Sequence, residues 1–560
     1  MIKEYLSDLK CEFRGYNLQS LLQDMLAGLT VAAVALPLAL AFGVSSGADA
    51  GAGLITAIIA GLVIGVLSGA SYQISGPTGA MSAILIGLST TYGLQGVFIA
   101  SFLSGCMLVI ASLFKFGKIV SFIPNSVITG FTSGIAIIIA LGQIDNFFGT
   151  TSVGANALEK LLSYFKLGFP IDFNTVFFGI LVVVIMLLWP KKWSDYCPSS
   201  LAGIIIALIC QLLLNLPVNE VGAIPSTLLP EARLSFSALK IGTVTQLMIP
   251  ALSIAALGMI ESLLCGASAG KMKNEKLNAD RELMAQGIGN MIIPLFGGVP
   301  ATAAIARTSV AIKAGGKTRL VSVFHAIVIL ISMFVLGPLM SRIPLSALAG
   351  VLMVTAWRMN DWDEIKTLFN NRIKTNIFQF MITMLATVVF DLTVAIVIGV
   401  MVSIILFTLN NSHLHIDVRD IDKDRVGKDL KHHHQKTRIM YLSGPIFFGT
   451  QEQMTKVLDS IDDSLEAMIF SMRGVPSIDD SGIHELFDIV DRLRANNCII
   501  KFTGIQDAVM HQFKRNHFDE YVGKKHFCWD AIMALEALDE ELADNLLSTE
   551  NENVLKIFKH

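Results

Sequence analysis

Between about residues 22 and 412, the chain is a succession of long apolar segments, and this pattern constrains the possible fold more than any other feature. Of its 560 residues, 53% are hydrophobic and only 16% are charged, which is too apolar for a soluble protein. Charged residues become frequent only after His413. The sequence therefore predicts an α-helical polytopic membrane protein followed by a smaller soluble domain. A formal net charge of −3 excludes nucleic acid as an expected partner.

The spans can be counted because a helix needs roughly 20 apolar residues to cross a bilayer. We predict spans near 22–44, 50–69, 93–114, 121–142, 175–190, 199–216, 245–268, 283–296, 320–340, 345–357, 376–392 and 393–412. Two shorter stretches, 77–90 and 301–312, would be half-helices. The total is about fourteen, which divides into seven plus seven.

The distribution of lysine and arginine supports this count, because these residues accumulate in short cytoplasmic loops. With the N-terminus inside, most basic loop residues fall on the cytoplasmic side, and an even number of crossings places the C-terminus there too. We expect a multi-pass protein of the cell (inner) membrane. The predicted organisation is an N-terminal segment 1–21, a transport domain 22–412 with repeats 22–216 and 245–412, a linker 413–436, a domain 437–545 and a tail 546–560.

Glycine and proline interrupt the apolar pattern at matching positions in the two halves. An odd number of crossings per half inverts the second half, and paired interruptions mark the binding site of inverted-repeat transporters at mid-membrane. Two half-helix N-termini would then face each other, with free N–H groups and partial positive charge that favour an anion. The candidate substrate-binding residues in the breaks are Ser75, Pro77, Thr78, Gly79, Ala301, Thr302 and Ala303.

Few ionisable residues lie inside the predicted spans, and such residues are costly and therefore candidates for function. Glu261 lies in an apolar span and could carry a proton reversibly, or be a structural carboxyl. Arg307, predicted about two turns after Pro300, could bring positive charge to the anion, or could snorkel to the interface or neutralise Glu261. Phe42, on the first span, could form a wall of the site or pack in the core.

These segments resemble the sulfate permease (SulP) family, whose animal relatives are the solute-carrier anion exchangers. The resemblance rests on Ala35 to Phe42, Ser75-Gly76-Pro77-Thr78, Gly130 to Gly134, Glu261-Ser262-Leu263-Leu264, and Ala306-Arg307-Thr308 followed by Gly315-Gly316-Lys317-Thr318. It implies a mobile core and a gate domain, elevator-like transport and a homodimer. It also implies an anion site between the third and tenth membrane helices, at Pro77, Thr78, Gly79, Ala301, Thr302 and Ala303, with Arg307 behind.

The same resemblance ties the acidic position of the eighth helix to cation coupling. Sodium-coupled members carry aspartate there and a threonine one turn later, whereas this chain has Glu261 and Cys265. Because a thiol is a poor ligand for sodium, we expect proton symport, and sodium coupling stays an alternative. We expect no cofactor and no bound metal.

The soluble part resembles a STAS domain. Strand-like stretches lie at Thr437 to Leu442, Met468 to Met472 and Ile499 to Thr503, and a helix follows Asp480. In related bacterial antagonists a serine is phosphorylated in an Asp-Ser-Ser-Gly segment, and here Asp479-Asp480-Ser481-Gly482 places Asp480 at that position. Asp479, Asp480 and Ser481 are therefore candidate regulatory residues, with Asp479 and Ser481 also candidate helix caps. We expect His432 to His434 to lie in a solvated linker.

The predicted function is secondary active transport of sulfate, bicarbonate or a C4-dicarboxylate. A nucleobase carrier of the same fold is one alternative, and a membrane-tethered STAS signalling protein with a cytoplasmic protein partner is another. An enzyme is not expected, because no group of residues shows catalytic spacing.

Overall fold

A computed structural model describes residues 2–118, 124–154, 157–194, 197–390, 392–411, 413–421, 434–459 and 464–542. The chain divides into two compact units, Met1–Ser403 and Ile404–His560. The predicted tail 546–560 lies outside the described residues, as do residues 121–123 and 412 at the ends of two predicted spans.

The first unit is built from helices. Its elements, in chain order, are α1 (Ile2–Glu12), α2 (Leu18–Ser45), α3 (Ala50–Ile59), α4 (Gly65–Leu67), β1 (Ser75–Gly76), α5 (Gly79–Leu113), α6 (Asn125–Gly142), α7 (Ile144–Phe148), α8 (Ala157–Leu167), α9 (Phe173–Leu188), α10 (Lys191–Ser194), α11 (Ser199–Leu214), α12 (Ile241–Lys273), α13 (Ala279–Ile292), β2 (Thr302–Ala303), α14 (Ile305–Lys313), α15 (Leu320–Met340), α16 (Leu345–Met359), α17 (Trp362–Asn370), α18 (Lys374–Val389) and α19 (Leu392–Asn411).

Most predicted spans correspond to helices of this unit. Six helical segments are long and apolar enough to cross a membrane, and four shorter apolar helices have 10–17 residues, counting only the part of the chain that the structure describes. A π-turn, Ala60–Ile64, joins α3 to α4. The backbone of Gly93 is non-helical (φ 68°, ψ −179°) and divides α5 into a half-helix and a second helix, as the predicted boundary at residue 93 requires.

The second half-helix differs from its predicted bounds of 301–312. Ile293–Phe296 forms a 3-10 turn, and Thr302–Ala303 forms a strand, so α14 begins only at Ile305. Arg307 therefore lies in the first turn of α14 rather than two turns beyond the break, and its side chain is buried. Because it is enclosed, Arg307 does not snorkel to an interface.

The N-terminal helix α1 packs on the ends of three other elements. Its Asp8 forms an ion pair of 2.5 Å with Arg281, and Glu12 forms one of 2.8 Å with Arg319. The two arginines also donate hydrogen bonds to the backbone carbonyl of Ser68, just after α4. The Tyr5 ring lies 5.6 Å from one guanidinium and 5.3 Å from the other. Free carbonyls after a helix are thereby satisfied by side chains.

The second unit contains a five-stranded sheet in the order β3-β4-β5-β6-β7. The β3–β4 pair is antiparallel and the remaining pairs are parallel. Its elements are β3 (His415–Asp420), β4 (Thr437–Ser443), α20 (Gln451–Asp459), β5 (Ala467–Gly474), α21 (Asp480–Ala495), β6 (Ile499–Thr503), α22 (Asp507–Arg515), α23 (Phe518–Val522), β7 (Phe527–Cys528) and α24 (531–542). The three predicted strands and the helix after Asp480 are all present.

Two expectations for the segment 413–436 are wrong. Part of the predicted linker is the edge strand β3, which pairs along its length with β4. His434 is buried, and its ring nitrogens lie 3.1 Å from Asp539 Oδ1 and 3.4 Å from Thr437 Oγ1. His432 and His433 lie outside the described residues. The contact with Asp539 comes from α24, far along the chain, and therefore leaves no local signal in the sequence.

Candidate functional site

The two predicted breaks meet in the structure as an antiparallel pair of short strands. Ser75 of β1 lies opposite Ala303 of β2, and Gly76 lies opposite Thr302. The half-helix of α5 begins at Gly79 and α14 begins at Ile305, so each follows its strand within a few residues. The starts of two helices are thus held side by side in the interior of the unit, where the helix dipoles place partial positive charge.

The two helix starts are capped differently. The side chain of Thr78 accepts a hydrogen bond from the backbone N–H of Met81 at 3.4 Å. Ala304, the residue before α14, offers no side-chain cap, although its own N–H donates to the carbonyl of Ile74 at 3.1 Å. The first turn of α14 therefore keeps N–H groups without a side-chain acceptor.

Arg307 places a guanidinium beside this strand pair. Its Nη2 donates to the carbonyl of Pro77 at 2.8 Å. A Cβ atom on Gly76 would overlap Arg307 Nη1, so the glycine permits this close approach. Nε and Nη1 are buried and have no hydrogen-bond partner among the residues that the structure describes. Two strong donors are left available, which is the chemistry that recognises an oxyanion.

Glu261 of α12 lies against the first helix start. Its Oε2 accepts a hydrogen bond from Thr78 Oγ1 at 3.0 Å. The neighbouring Ser262 contacts the second break, because its Oγ lies 2.9 Å from Thr302 Oγ1 and accepts from the N–H of Ala303 at 3.3 Å. One turn of α12 therefore contacts both broken segments.

Cys265, one turn further along α12, is fully buried. Its Sγ donates to Thr308 Oγ1 at 3.4 Å, and the same hydroxyl accepts from the N–H of Ile74 at 3.1 Å. The Thr308 hydroxyl thus joins α14 to the peptide that leads into β1, and the Cys265 thiol joins α12 to the same hydroxyl.

The remaining candidate residues of the membrane unit lie beside the same pair of strands and helix starts. The backbone N–H of Ala301 donates to Asn290 Oδ1, and its carbonyl accepts from Asn290 Nδ2. Gly79 allows a close approach by Phe42, whose Cε1 would lie 3.1 Å from a Cβ atom at that position. The structure thus brings all the predicted membrane residues together, with Phe42 against the first turn of α5.

A cleft of about 680 Å³ opens near this site along α12. Its wall includes Leu263, Leu264 and Gly266 of α12, together with Asn125 and Ile128 of α6. Lys271, Lys276 and Glu275 also line this cleft. Two lysines against one carboxylate give the lining a net positive charge, which attracts anions.

Sequence reasoning missed several buried polar residues of the unit. Asp24 accepts hydrogen bonds from the N–H of Lys317 and the hydroxyl of Thr318. Glu282 is fully buried, and the ring nitrogens of His325 have no hydrogen-bond partner within the described residues. Asp24 and His325 also lie inside predicted spans, where an ionisable residue is a candidate for function, but only Glu261 and Arg307 were considered as candidates.

The candidate regulatory residues lie in the second unit, at the start of α21. Asp479 caps this helix, because its Oδ1 accepts from the N–H of Gly482 at 2.8 Å. Asp480 is exposed, and the carbonyl of Ser481 accepts from Gln451 Nε2 at 3.1 Å. Asp479 alone therefore acts as the cap, and the prediction that Ser481 also caps the helix is wrong.

No group of three or more His, Cys, Asp or Glu side chains is placed to hold a metal ion within the described ranges. The chemistry that the membrane site offers is therefore carried by hydroxyls, backbone N–H groups, one guanidinium and one carboxyl.

Comparison with known proteins assigns both units. The model of the sulfate permease family matches residues 21–386, and the STAS domain model matches residues 430–529. The chain is 35% identical to the putative sulfate transporter YvdB of Bacillus subtilis, over 92% of this chain and 97% of that protein. It is 28% identical to the bicarbonate transporter BicA of Synechocystis, over 93% of this chain and 94% of that protein.

Solved structures agree with this assignment. The transmembrane domain of a cyanobacterial bicarbonate transporter BicA matches with a TM-score of 0.63 at 28% identity, covering 69% of this chain and 98% of that chain. The overall structure of SLC26A9 matches with a TM-score of 0.80 at 17% identity, covering 95% of this chain and 92% of that chain, which supports the fold. The predicted fold class is confirmed: the chain is a multi-pass membrane transporter, not an enzyme, and belongs to the sulfate permease family with a C-terminal STAS domain.

Proposed function

We propose that this chain carries a small oxyanion, sulfate or bicarbonate, by proton symport, and that the anion binds where β1 and β2 bring two helix starts together. The observation that carries the proposal is the buried Arg307, whose Nε and Nη1 lack partners in the described part of the chain. A buried cationic group with free donors is costly unless a ligand satisfies it. An oxyanion supplies both the charge and the acceptors.

The backbone adds further donors to this site. The first turn of α14 has no side-chain cap, and the half-helix of α5 starts beside it. Thr302 contributes a hydroxyl, and the Thr78 hydroxyl, which donates to Glu261 Oε2, would become available to the anion only when that contact opens. The surrounding backbone is that of Ser75 and Ala303, which pair across the two strands, and of Pro77, Gly79 and Ala301 beside them. A site made of N–H groups, hydroxyls and a guanidinium binds sulfate and carboxylates by the same physics.

Proton coupling rests on the contact between Glu261 and Thr78. The Glu261 carboxyl lies 3.0 Å from the threonine hydroxyl, within reach of the first helix start. A negative carboxylate next to the anion site opposes anion binding, whereas a protonated carboxyl does not. Protonation of Glu261 would therefore favour loading, and release of the proton would favour unloading. Cys265 offers a sulfur in place of the hard oxygen ligand that sodium prefers.

The remaining features of the proposal concern the whole molecule. We place the protein in the cell (inner) membrane with both termini in the cytoplasm, as a homodimer. The membrane unit would move the anion by an elevator-like displacement of its core, and the cleft along α12 would be the entrance on one side. The relatives named for sulfate and bicarbonate favour these anions, with a C4-dicarboxylate as the third candidate.

The test is uptake of radiolabelled sulfate, bicarbonate and succinate into proteoliposomes, measured in parallel with an inward proton gradient and then with a sodium gradient. Proton-driven accumulation of one anion supports the proposal and identifies the substrate. Sodium-driven accumulation contradicts proton coupling. Uptake of none of the three, by protein that is shown to be folded, contradicts the proposed substrate class.

A further inference from the structure

Three buried polar residues follow one face of α13, each one turn after the last: Glu282, Gln286 and Asn290. Their exposed fractions are 0%, 0% and 1%. Glutamate and glutamine are rarely enclosed to this degree unless their polar atoms are bonded. None of these three residues lies in a break, but their side chains form hydrogen bonds with both breaks.

Asn290 binds the second break as a neighbouring strand would. Its Oδ1 accepts from the N–H of Ala301 at 2.7 Å, and its Nδ2 donates to the carbonyl of Ala301 at 2.9 Å. The side-chain amide thus satisfies both backbone groups of the residue that immediately precedes β2. Nδ2 also donates to the carbonyl of Gln286 at 3.0 Å, which fixes the orientation of the amide.

Gln286 binds the first break. Its Nε2 donates to Ser75 Oγ at 2.8 Å and to Glu282 Oε1 at 2.8 Å. These two acceptors, Ser75 Oγ and Glu282 Oε1, both face the nitrogen end of the amide and fix its orientation. The other oxygen of Glu282 accepts from Ser68 Oγ at 2.6 Å and from the N–H of Gly69 at 2.9 Å.

Two glycines hold α13 close to its neighbours. A Cβ atom on Gly287 would lie 2.8 Å from the carbonyl oxygen of Gly105 in the second part of α5, and one on Gly289 would overlap Ile64 in the π-turn. The backbone of α5 against Gly287 and the Ile64 side chain against Gly289 leave no free space beside α13, so this helix cannot shift without breaking the packing. It is a rigid element that contacts both strands.

We propose that Glu282, Gln286 and Asn290 are positioning residues, which hold β1 and the peptide before β2 in register so that both helix starts and Arg307 face one anion. The inference rests on the proposed anion site. Loss of these side chains would leave the helices assembled but would let the two breaks move apart, and the anion would bind more weakly.

The test compares Gln286→Met and Asn290→Asp with Gln379→Met. The control removes a buried glutamine of α18, whose Oε1 accepts from Ser126 Oγ of α6 at 2.5 Å and which forms no hydrogen bond to either break among the residues that the structure describes. The KM and maximal rate of radiolabelled sulfate and bicarbonate uptake are measured in proteoliposomes with folded protein. Gln286→Met removes the bond to Ser75 and Asn290→Asp removes the bond to the Ala301 carbonyl, so each variant loses one hydrogen bond to a break as well as one within α13. We expect the lost bond to the break to raise KM on the order of tenfold in both variants, and KM to stay unchanged in the control.

A double variant distinguishes positioning from a general structural effect. Ser75→Ala and Gln286→Met should each raise KM, and their combination should raise it no further than one of them alone, because both remove the same bond. Additive effects, or an unchanged KM in both Gln286→Met and Asn290→Asp, would overturn the inference.

Hydrogen exchange of residues 72–79 and 300–305 supplies a readout that needs no substrate. Exchange should be faster in Gln286→Met and Asn290→Asp than in the wild type and in Gln379→Met. If the wild type transports neither anion, the proposed function fails, while exchange still decides the positioning role. Unchanged exchange would overturn the inference even where transport is normal.

Discussion

The contacts of α1 predict that removal of Glu12 releases this helix, whereas removal of Asp8 hardly affects it. The Glu12 carboxylate accepts from the backbone N–H of Arg319 at 2.7 Å and from its guanidinium at 2.8 and 2.9 Å. The side chains of this pair are only 9% and 4% exposed. Asp8 contacts Arg281, but the Asp8 side chain is 53% exposed.

The two pairs therefore differ in expected magnitude. Breaking a buried pair on one side leaves an uncompensated charge and costs about 3 kcal/mol, so Glu12→Ala should lower the protection of α1 against hydrogen exchange by roughly 100-fold. In the other pair the Asp8 carboxylate is 53% exposed, and the buried Arg281 keeps its hydrogen bonds to the carbonyls of Ser68 and Gly69. This contact therefore contributes at most about 1 kcal/mol, and Asp8→Ala should lower protection by less than about fivefold. Alanine keeps the helix propensity high in both variants.

Peptide-resolved hydrogen exchange of residues 2–12 in the full-length protein measures both effects. Lys10→Ala is the matched control, because Lys10 is exposed on the same helix. Equal loss of protection in Glu12→Ala and Asp8→Ala would refute the reasoning, since the argument depends on the difference in burial between the two pairs.

Three further predictions concern packing, the STAS domain and the guanidinium. Gly53→Ala should destabilise the membrane unit by about 3 kcal/mol or more, because its Cβ would overlap the Ala39 carbonyl oxygen; Gly242→Ala, with open space, should be near neutral in the same thermal unfolding assay. Burial and the charge of Lys501 lower the pKa of His526, so its contribution to stability is present above the ordinary value of about 6.5 and lost as pH falls below it. The protection factor of β6, which is the intrinsic exchange rate divided by the observed rate, should therefore fall less from pH 7.5 to 5.5 in His526→Gln than in the wild type, and an equal fall would count against this. Arg307→Ala should raise the KM for the transported anion by more than Arg307→Lys, which keeps the charge; equal values would argue against a charge contribution.

The sequence predicted the breaks because glycine and proline act on the local backbone. The count of apolar spans placed the start of a helix at residue 93, where the structure has its non-helical residue. The β1–β2 pair could not be predicted, since each strand has two residues and its partner lies in the other half of the chain. The late start of α14 follows from this pairing, which extends the backbone of Thr302 and Ala303.

Other errors came from residues whose environment is set by distant parts of the chain. The role of Asp24 leaves no local signal, because its hydrogen-bond donors come from residues 317 and 318. His434 looked solvated among polar neighbours, yet Asp539 buries it. Strand β3 carried a weak signal, because only Ile416 and Val418 alternate with polar residues in this edge strand.

The central claim is that an anion bound between the two helix starts moves with a proton carried by Glu261. The most direct measurement is the proton movement that accompanies addition of the transported anion to proteoliposomes, followed with a pH-sensitive dye, for the wild type and for Glu261→Gln. The account predicts proton uptake together with the anion in the wild type and anion movement without protons, independent of pH, in Glu261→Gln. Equal proton uptake by both proteins would contradict it.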